Sequence, residues 1–406
     1  MPKNLTLNFF QATILYFVIS CTIGALIATG LVYKIISKAW IVPAHVHLAL
    51  IGFVSLTIMG AMYQIVPTIL GKQLYSRKLA IIQFFLINLG LIGMFFGFIS
   101  SSIKLVFIFG ILVVAGTYLF AYIIFKTIRN EKLILTLKFF AASTIYVIVI
   151  VTFGILLASG AVYYVENVIR AHAQLGIMGW ISMTIMGAMY QMLPMLSLKQ
   201  LYSEKIGNIQ FWLMNLGLIG IFLSYLANKT LLIVIFSFIL ALAVYLFGYN
   251  IYRTLTAKGE VKDKKEKMDI SVRFFVVAIF YFIAAVTVGL LLIVGAINTW
   301  TAYYHLLLIG WVSITIVGAM YHIAPMLTWM ELYSEKVGLE TVPTFKQLYS
   351  EKLAEFLFWL FNIGVIGFFL SLIINFMIGI MIFGIILAIA SYLFAYDMLR
   401  TIRRRA

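Results

Sequence analysis

Charge is scarce in this sequence: Asp, Glu, Lys and Arg make up only 10% of the 406 residues, against roughly a quarter in soluble domains. With 64% apolar residues beside so little charge, a water-soluble fold is excluded. Cysteine is scarcer still. The single one, Cys21, lies inside the first apolar run, so neither a disulfide framework nor a Cys-based metal site can form within one chain. The stretch Val18-Ile19-Ser20-Cys21 has the look of a lipoprotein cleavage signal, but the apolar run continues past Cys21 and the same helix recurs later in the chain. Histidine is confined to five positions, and their placement carries most of the functional information.

What is present in abundance is long apolar runs. Stretches of about twenty or more mostly uncharged residues, long enough to cross a hydrocarbon core of about 30 Å, recur along the whole chain and number about twelve. They predict an all-α polytopic membrane protein with about twelve transmembrane helices. The net charge of +16 does not point to nucleic acid, because the basic residues sit between the apolar runs and not on an amphipathic face. Of the 29 basic residues, 24 fall at the termini and in the even-numbered loops. By the positive-inside rule, both ends of the chain are expected in the cytoplasm and the protein in the inner (cytoplasmic) membrane, with lipid as its surroundings.

The chain repeats itself. Gly52 to Gln64 (GFVSLTIMGAMYQ) returns as Gly179 to Gln191 and as Gly310 to His322, each followed at the same distance by a proline: Pro67, Pro194 and Pro325. Leu-Tyr-Ser follows seven residues later, at Leu74, Leu201 and Leu332. Thr-x-Gly-x5-Gly recurs at Thr22, Thr152 and Thr287, Asn-x-Gly-x-x-Gly at Asn88, Asn215 and Asn362, and Tyr-Leu-Phe-[Ala/Gly]-Tyr ends at Tyr122, Tyr249 and Tyr396. Three four-helix repeats are therefore expected, at 1–130, 131–268 and 269–406, within one membrane domain. The shared small residues let helices approach closely in lipid. The basic loop Lys258 to Lys267 separates the second and third repeats, and Leu-Tyr-Ser-Glu-Lys occurs twice in the third, at Leu332 and Leu348.

All five histidines lie on the second helix of a repeat: His45 and His47, His172, and His305 and His322. Inside a membrane such residues mark ligands, relays or cavities. Aligned on Gly52, Gly179 and Gly310, the copies put His45, His172 and Tyr303 at one position and His47, Gln174 and His305 at another. Two residues on a helix are about 200° apart, so His45 and His47 cannot converge on one ion but can serve two sites. Around a pseudo-threefold axis, one direction of travel pairs His45 with His305 and His47 with His172, leaving Gln174 opposite Tyr303. The opposite direction pairs only His172 with His305. Facing imidazoles in apolar surroundings, without further ligands, suit iron in a porphyrin better than a bare zinc or copper ion. His322 lies about 25 Å further along its helix and reads as a polar cap, with a quinone or proton role as the alternative.

At this point the residues resemble a known family. Ala44-His45-Val46-His47, then Gly52, Gly60-Ala61-Met62-Tyr63, Pro67, Leu74-Tyr75-Ser76 and Phe84-Phe85, are similar to the tenth and eleventh helices of the catalytic subunit of cbb-type heme-copper oxidases. That superfamily has twelve spans and pseudo-threefold symmetry. The resemblance implies that His305 pairs with His45 in a low-spin heme pocket, which selects the first direction of travel. It also locates the departures. Tyr303 stands where the reactive-heme ligand is expected, and the seventh span has no histidine for copper, so no copper site is expected. The spans have almost no buried acid, with Glu166 and Asp397 near helix ends, which leaves little for proton pumping.

The expectation is a membrane protein with two b-type hemes held by His45, His47, His172 and His305, exchanging electrons with a cytochrome or quinone partner. Tyr303, Gln174 and His322 are secondary candidates. Three alternatives stay open: an oxygen or nitric-oxide reductase with an open iron, a membrane heme protein of nitric-oxide response, and a non-redox channel or structural protein.

Overall fold

The computed structural model describes residues 4–163, 165–257 and 268–404. Lys3, Arg405 and the basic stretch Lys258 to Lys267 lie outside the described residues. Apolar runs this long and without alternation span lipid as helices, which satisfy every backbone N–H and C=O within the segment. Twelve helical spans follow one another: α1 (Leu5–Ala28), α2 (Lys38–Leu70), α3 (Arg77–Ile99), α4 (Ile103–Thr127), α5 (Leu135–Ser159), α6 (165–196), α7 (Glu204–Leu226), α8 (Thr230–Thr256), α9 (Ile270–Ile293), α10 (Trp300–Lys336), α11 (Glu351–Ile373) and α12 (Met377–Ile402). Eleven of these are long and apolar enough to cross a membrane. The other, α6, carries Met178 and Met192 where α2 and α10 carry isoleucine, and Glu166 and Arg170 in its first turns.

The same hydrogen bonds hold the spans together three times over. A tyrosine on the first helix of each set donates to the repeated asparagine of the third: Tyr16 to Asn88 at 2.8 Å, Tyr146 to Asn215 at 2.6 Å and Tyr281 to Asn362 at 2.7 Å. Between sets, a tyrosine on the fourth helix meets a threonine on the next first helix. Tyr118 reaches Thr152 (2.7 Å), Tyr245 reaches Thr287 (3.0 Å), and Tyr392 of α12 returns to Thr22 of α1 (3.0 Å). These contacts are head-to-tail and close into a ring, as a heterologous interface with threefold rotation must. Each Thr-x-Gly-x5-Gly helix stops at the second glycine, where φ is +72°, +74° and +76° at Gly30, Gly160 and Gly295, a conformation that suits glycine at a helix C-terminus.

The second helices, α2, α6 and α10, meet inside the ring, with α2 and α10 the most buried of the eleven candidate spans. Trp180 of α6 donates to Ser55 of α2 (2.9 Å), and Trp311 of α10 donates to Ser182 of α6 (3.0 Å). The first set has Phe53 at that position, stacked on Phe17 with centroids 4.2 Å apart.

The third set is altered at its Lys/Arg-rich end. Ser350 caps α11 through Leu353 N, as Ser76 and Ser203 cap α3 and α7, so the second Leu-Tyr-Ser of the duplicated motif takes the place of Leu74 and Leu201. The first, Leu332 to Ser334, prolongs α10 instead. The inserted chain folds back as a strap: Leu348 is buried and its carbonyl accepts from Thr401, while Trp329 donates to the Pro343 carbonyl. A side-chain exchange accompanies the insertion. Tyr63 and Tyr190 donate to Gln83 and Gln210, whereas Leu357 replaces that glutamine in the third set and Tyr321 donates to Asp397 (3.2 Å). A buried hydroxyl needs an acceptor, and losing one on the third helix is offset by a new one on the fourth.

Candidate functional site

Each second helix changes its winding at the same place. Leu48–Ser55, Leu175–Ser182 and Leu306–Ser313 are π-helical, starting directly after His47, Gln174 and His305. Each closes on a serine whose hydroxyl donates to the carbonyl five residues back, at 2.7 Å for Ser55, 2.8 Å for Ser182 and 2.9 Å for Ser313. A π segment is uncommon and recurs at functional positions in helices. Here it separates the part of the helix that packs the core from the part that bears the histidines.

The histidine rings come together in pairs across the interfaces. His47 faces His172 with ring centroids 6.5 Å apart and planes inclined by 26°. His45 and His305 are close enough to interact electrostatically, as are His172 and His47. Gln174 and Tyr303 face a common cavity at the remaining interface. His322 is not part of this arrangement. It lies at the opposite end of α10, edge-on to Phe345 (5.5 Å, 84°) and near the Asp269–Lys346 ion pair.

The ring nitrogens are held by backbone. His47 Nδ1 contacts the Pro43 carbonyl (2.8 Å) and His305 Nδ1 the Thr301 carbonyl (2.8 Å), each one turn back on its own helix. His172 Nδ1 contacts the Ile150 carbonyl of α5 at 3.0 Å. A carbonyl can only accept, so in these three rings Nδ1 carries the proton and Nε2 keeps a free lone pair. The His45 ring lies by the equivalent carbonyl, Ser20, but its buried Nδ1 closes no well-formed hydrogen bond.

Room for the rings comes from the first glycine of Thr-x-Gly-x5-Gly. A Cβ on Gly24 would lie 3.1 Å from His45 Cε1, one on Gly154 3.2 Å from His172 Cε1, and one on Gly289 2.9 Å from Tyr303 Cε2. In the sequence these glycines read as helix-packing residues, and their constant spacing in all three copies is the signal of a shared role beside the second helices. Phe98 and Phe368 complete the apolar surroundings, each 5.1 Å from the ring of His47 or His305.

The donor set fits a heme better than a bare ion. His47 and His172 would hold a heme through the Nε2 atoms that their Nδ1 hydrogen bonds leave unprotonated, and their ring centroids lie 6.5 Å apart. Among the described residues, no group of three or more His, Cys, Asp or Glu side chains could hold a metal ion.

Known proteins agree with this architecture. The family model for cytochrome c and quinol oxidase polypeptide I matches residues 2–104 and 105–231, more than half of the chain. The chain belongs to that family. Its fold extends the match to the remaining spans: the cryo-EM structure of a heme-copper terminal oxidase dimer superposes over 100% of this chain and 85% of its own, with a TM-score of 0.76 at 13% sequence identity. An uncharacterized protein of Aquifex aeolicus (strain VF5) is 25% identical over 292 residues, 70% of this chain and 71% of that one. The protein is thus a multi-pass integral membrane protein with the oxidase subunit I fold, and a divergent member of that family.

Proposed function

We propose that this oxidase-family protein is a membrane electron carrier with two b-type hemes, one between His47 and His172 and one between His45 and His305. The observation that carries this reading is the 6.5 Å spacing of the His47 and His172 rings, together with the carbonyls that commit the Nδ1 atoms of both. Heme supplies a one-electron centre whose potential depends on its axial ligands and their hydrogen bonds. The chain does the rest. Backbone carbonyls fix ring tautomer and orientation and raise ligand basicity, glycines 24 and 154 admit the rings, and Phe98 and Phe368 exclude water.

In this reading the chain consists of three units, 1–130, 131–268 and 269–406, and α2 is common to both sites. Its His45 and His47 point about 200° apart, so one helix backbone joins the two centres. The Lys/Arg-rich end and both termini face the cytoplasm, the histidines lie toward the outer side of the inner membrane, and the exchange partner is a cytochrome or a quinone. The experiment is heme stoichiometry with reduced-minus-oxidised spectra on the purified chain. Two low-spin hemes per chain that resist carbon monoxide are expected. A colourless preparation after expression with ample heme overturns the proposal, and a carbon-monoxide-binding iron turns it toward a reductase.

A further inference from the structure

The third interface, where Gln174 and Tyr303 stand in place of a histidine pair, encloses a cavity of about 50 Å³ between α6–α7–α8 and α9–α10. That is several times the space one water needs, and far below what a porphyrin needs. Its walls differ from those of the other two interfaces in one consistent way. Where His47 stands, there is Gln174. Where Phe98 lies against the His47 ring, there is Tyr225. Pro43 is replaced by Arg170, Val46 by Tyr304, and His45 by Tyr303. Three of the five, at Arg170, Tyr225 and Tyr304, put a hydrogen-bond donor where the first set has none, the other two exchange an imidazole for an amide or a phenol, and none adds a carboxylate. The cavity is also bordered by Trp300, whose ring contacts both Tyr303 and Tyr304.

We infer that this interface is a binding site for a small monovalent inorganic anion, entering from the histidine end of the protein. The mouth is formed by Arg170, Trp300 and Tyr304, which are partly exposed, and the floor by Gln174, Tyr303 and the buried Met178. Arg170 acts electrostatically on both Tyr225 and Tyr304, so its charge bears on the cavity. A cation and several N–H and O–H donors converging in a pocket with low-dielectric walls attract an anion far more strongly than the same groups in water. Glu166, one turn away on the exposed side, binds Arg170 through one guanidinium nitrogen (2.5 Å). A guanidinium has five N–H donors, so one contact with Glu166 does not exhaust Arg170, which also lines the cavity. Glu166 is then a competitor for the same charge, and its removal should tighten binding.

The test is calorimetric titration of the purified full-length chain with sodium nitrite and with sodium chloride, at ionic strength held constant with gluconate. The expected result is one saturable event per chain for at least one of the two anions, with the heme spectrum unchanged. Arg170→Gln should weaken it about tenfold or more, the effect of losing a charge-assisted hydrogen bond, and Tyr303→Phe should weaken it less. Glu166→Gln should strengthen it. If Arg170→Gln does not fold, Arg170→Lys together with the tyrosine variant decides the matter, since a lysine cannot reproduce the guanidinium fork. His172→Ala and His305→Ala should leave the event intact, which separates this site from the hemes. No saturable binding of either anion, binding indifferent to Arg170 and Tyr303, or a heme spectral shift that disappears with the histidines overturns the inference.

Discussion

The interface between the first two helix sets and the one between the second and third are built on nearly the same backbone. Both are clasped by a tyrosine–threonine hydrogen bond, at 2.7 and 3.0 Å. Both have a glycine, Gly154 or Gly289, against an aromatic ring, and both place a π segment just beyond the facing residue. Their chemistry is nevertheless opposite. His47 and His172 offer nitrogen lone pairs inside an apolar wall, whereas Arg170, Gln174, Tyr225 and Tyr303 offer N–H and O–H groups. On a shared scaffold, a handful of side chains decides what the two facing helices present to one another.

The sharpest way to break this contrast is to remove one histidine at a time. His172→Ala should eliminate half of the heme measured per chain and leave the site of His45 and His305, while His305→Ala should eliminate the other half; identical spectral losses from the two variants would refute the pairing. The glycines offer a subtler probe. Gly154→Val should displace His172 and turn its heme five-coordinate, visible as a carbon-monoxide-binding, high-spin component. Gly289→Val crowds Tyr303 instead and should leave heme spectra as in the wild type, so a heme change there would show that the third interface also serves a heme. A smaller effect is expected in the core. Ser55→Ala strands the buried Trp180 N–H at a cost of about 1–3 kcal/mol, lowering the midpoint of thermal unfolding in detergent, whereas Ser313→Ala, which serves no tryptophan, should lower it less. Smallest of all, Tyr118→Phe removes one lipid-side hydrogen bond worth about 0.6 kcal/mol on average, a change near the detection limit of the same measurement.

Much of the architecture was legible in the sequence because membrane spans are a composition signal and the repeats are a spacing signal, both insensitive to detail. The expected histidine partners rest on the two-residue spacing of His45 and His47 together with the family resemblance, which supplies the direction of travel. Other features depend on geometry that spacing does not encode. Nothing in Gly52 to Ser55 announces a π turn, since the same residues are compatible with an α-helix. Leu-Tyr-Ser-Glu-Lys occurs twice, and the spacing from Pro325 points to Leu332 as the counterpart of Leu74 and Leu201, whereas the cap at Ser350 shows that the second copy takes that place. The polar cavity was hidden for another reason. Arg170, Tyr225, Tyr303 and Trp300 come from α6, α7 and α10, and each taken alone reads as an interfacial anchor of the sort common at helix ends.

The three π segments also separate what the helix sets share from what they do not. A π turn holds more residues than the α-helical turn it replaces, so the helix beyond it is rotated relative to the helix before it. Because the segment follows the same position in α2, α6 and α10, that rotation is common to all three. The histidines, by contrast, differ from set to set, and so do the strap and its Asp397, which belong to the third set alone. One irregular winding carries three different sets of side chains.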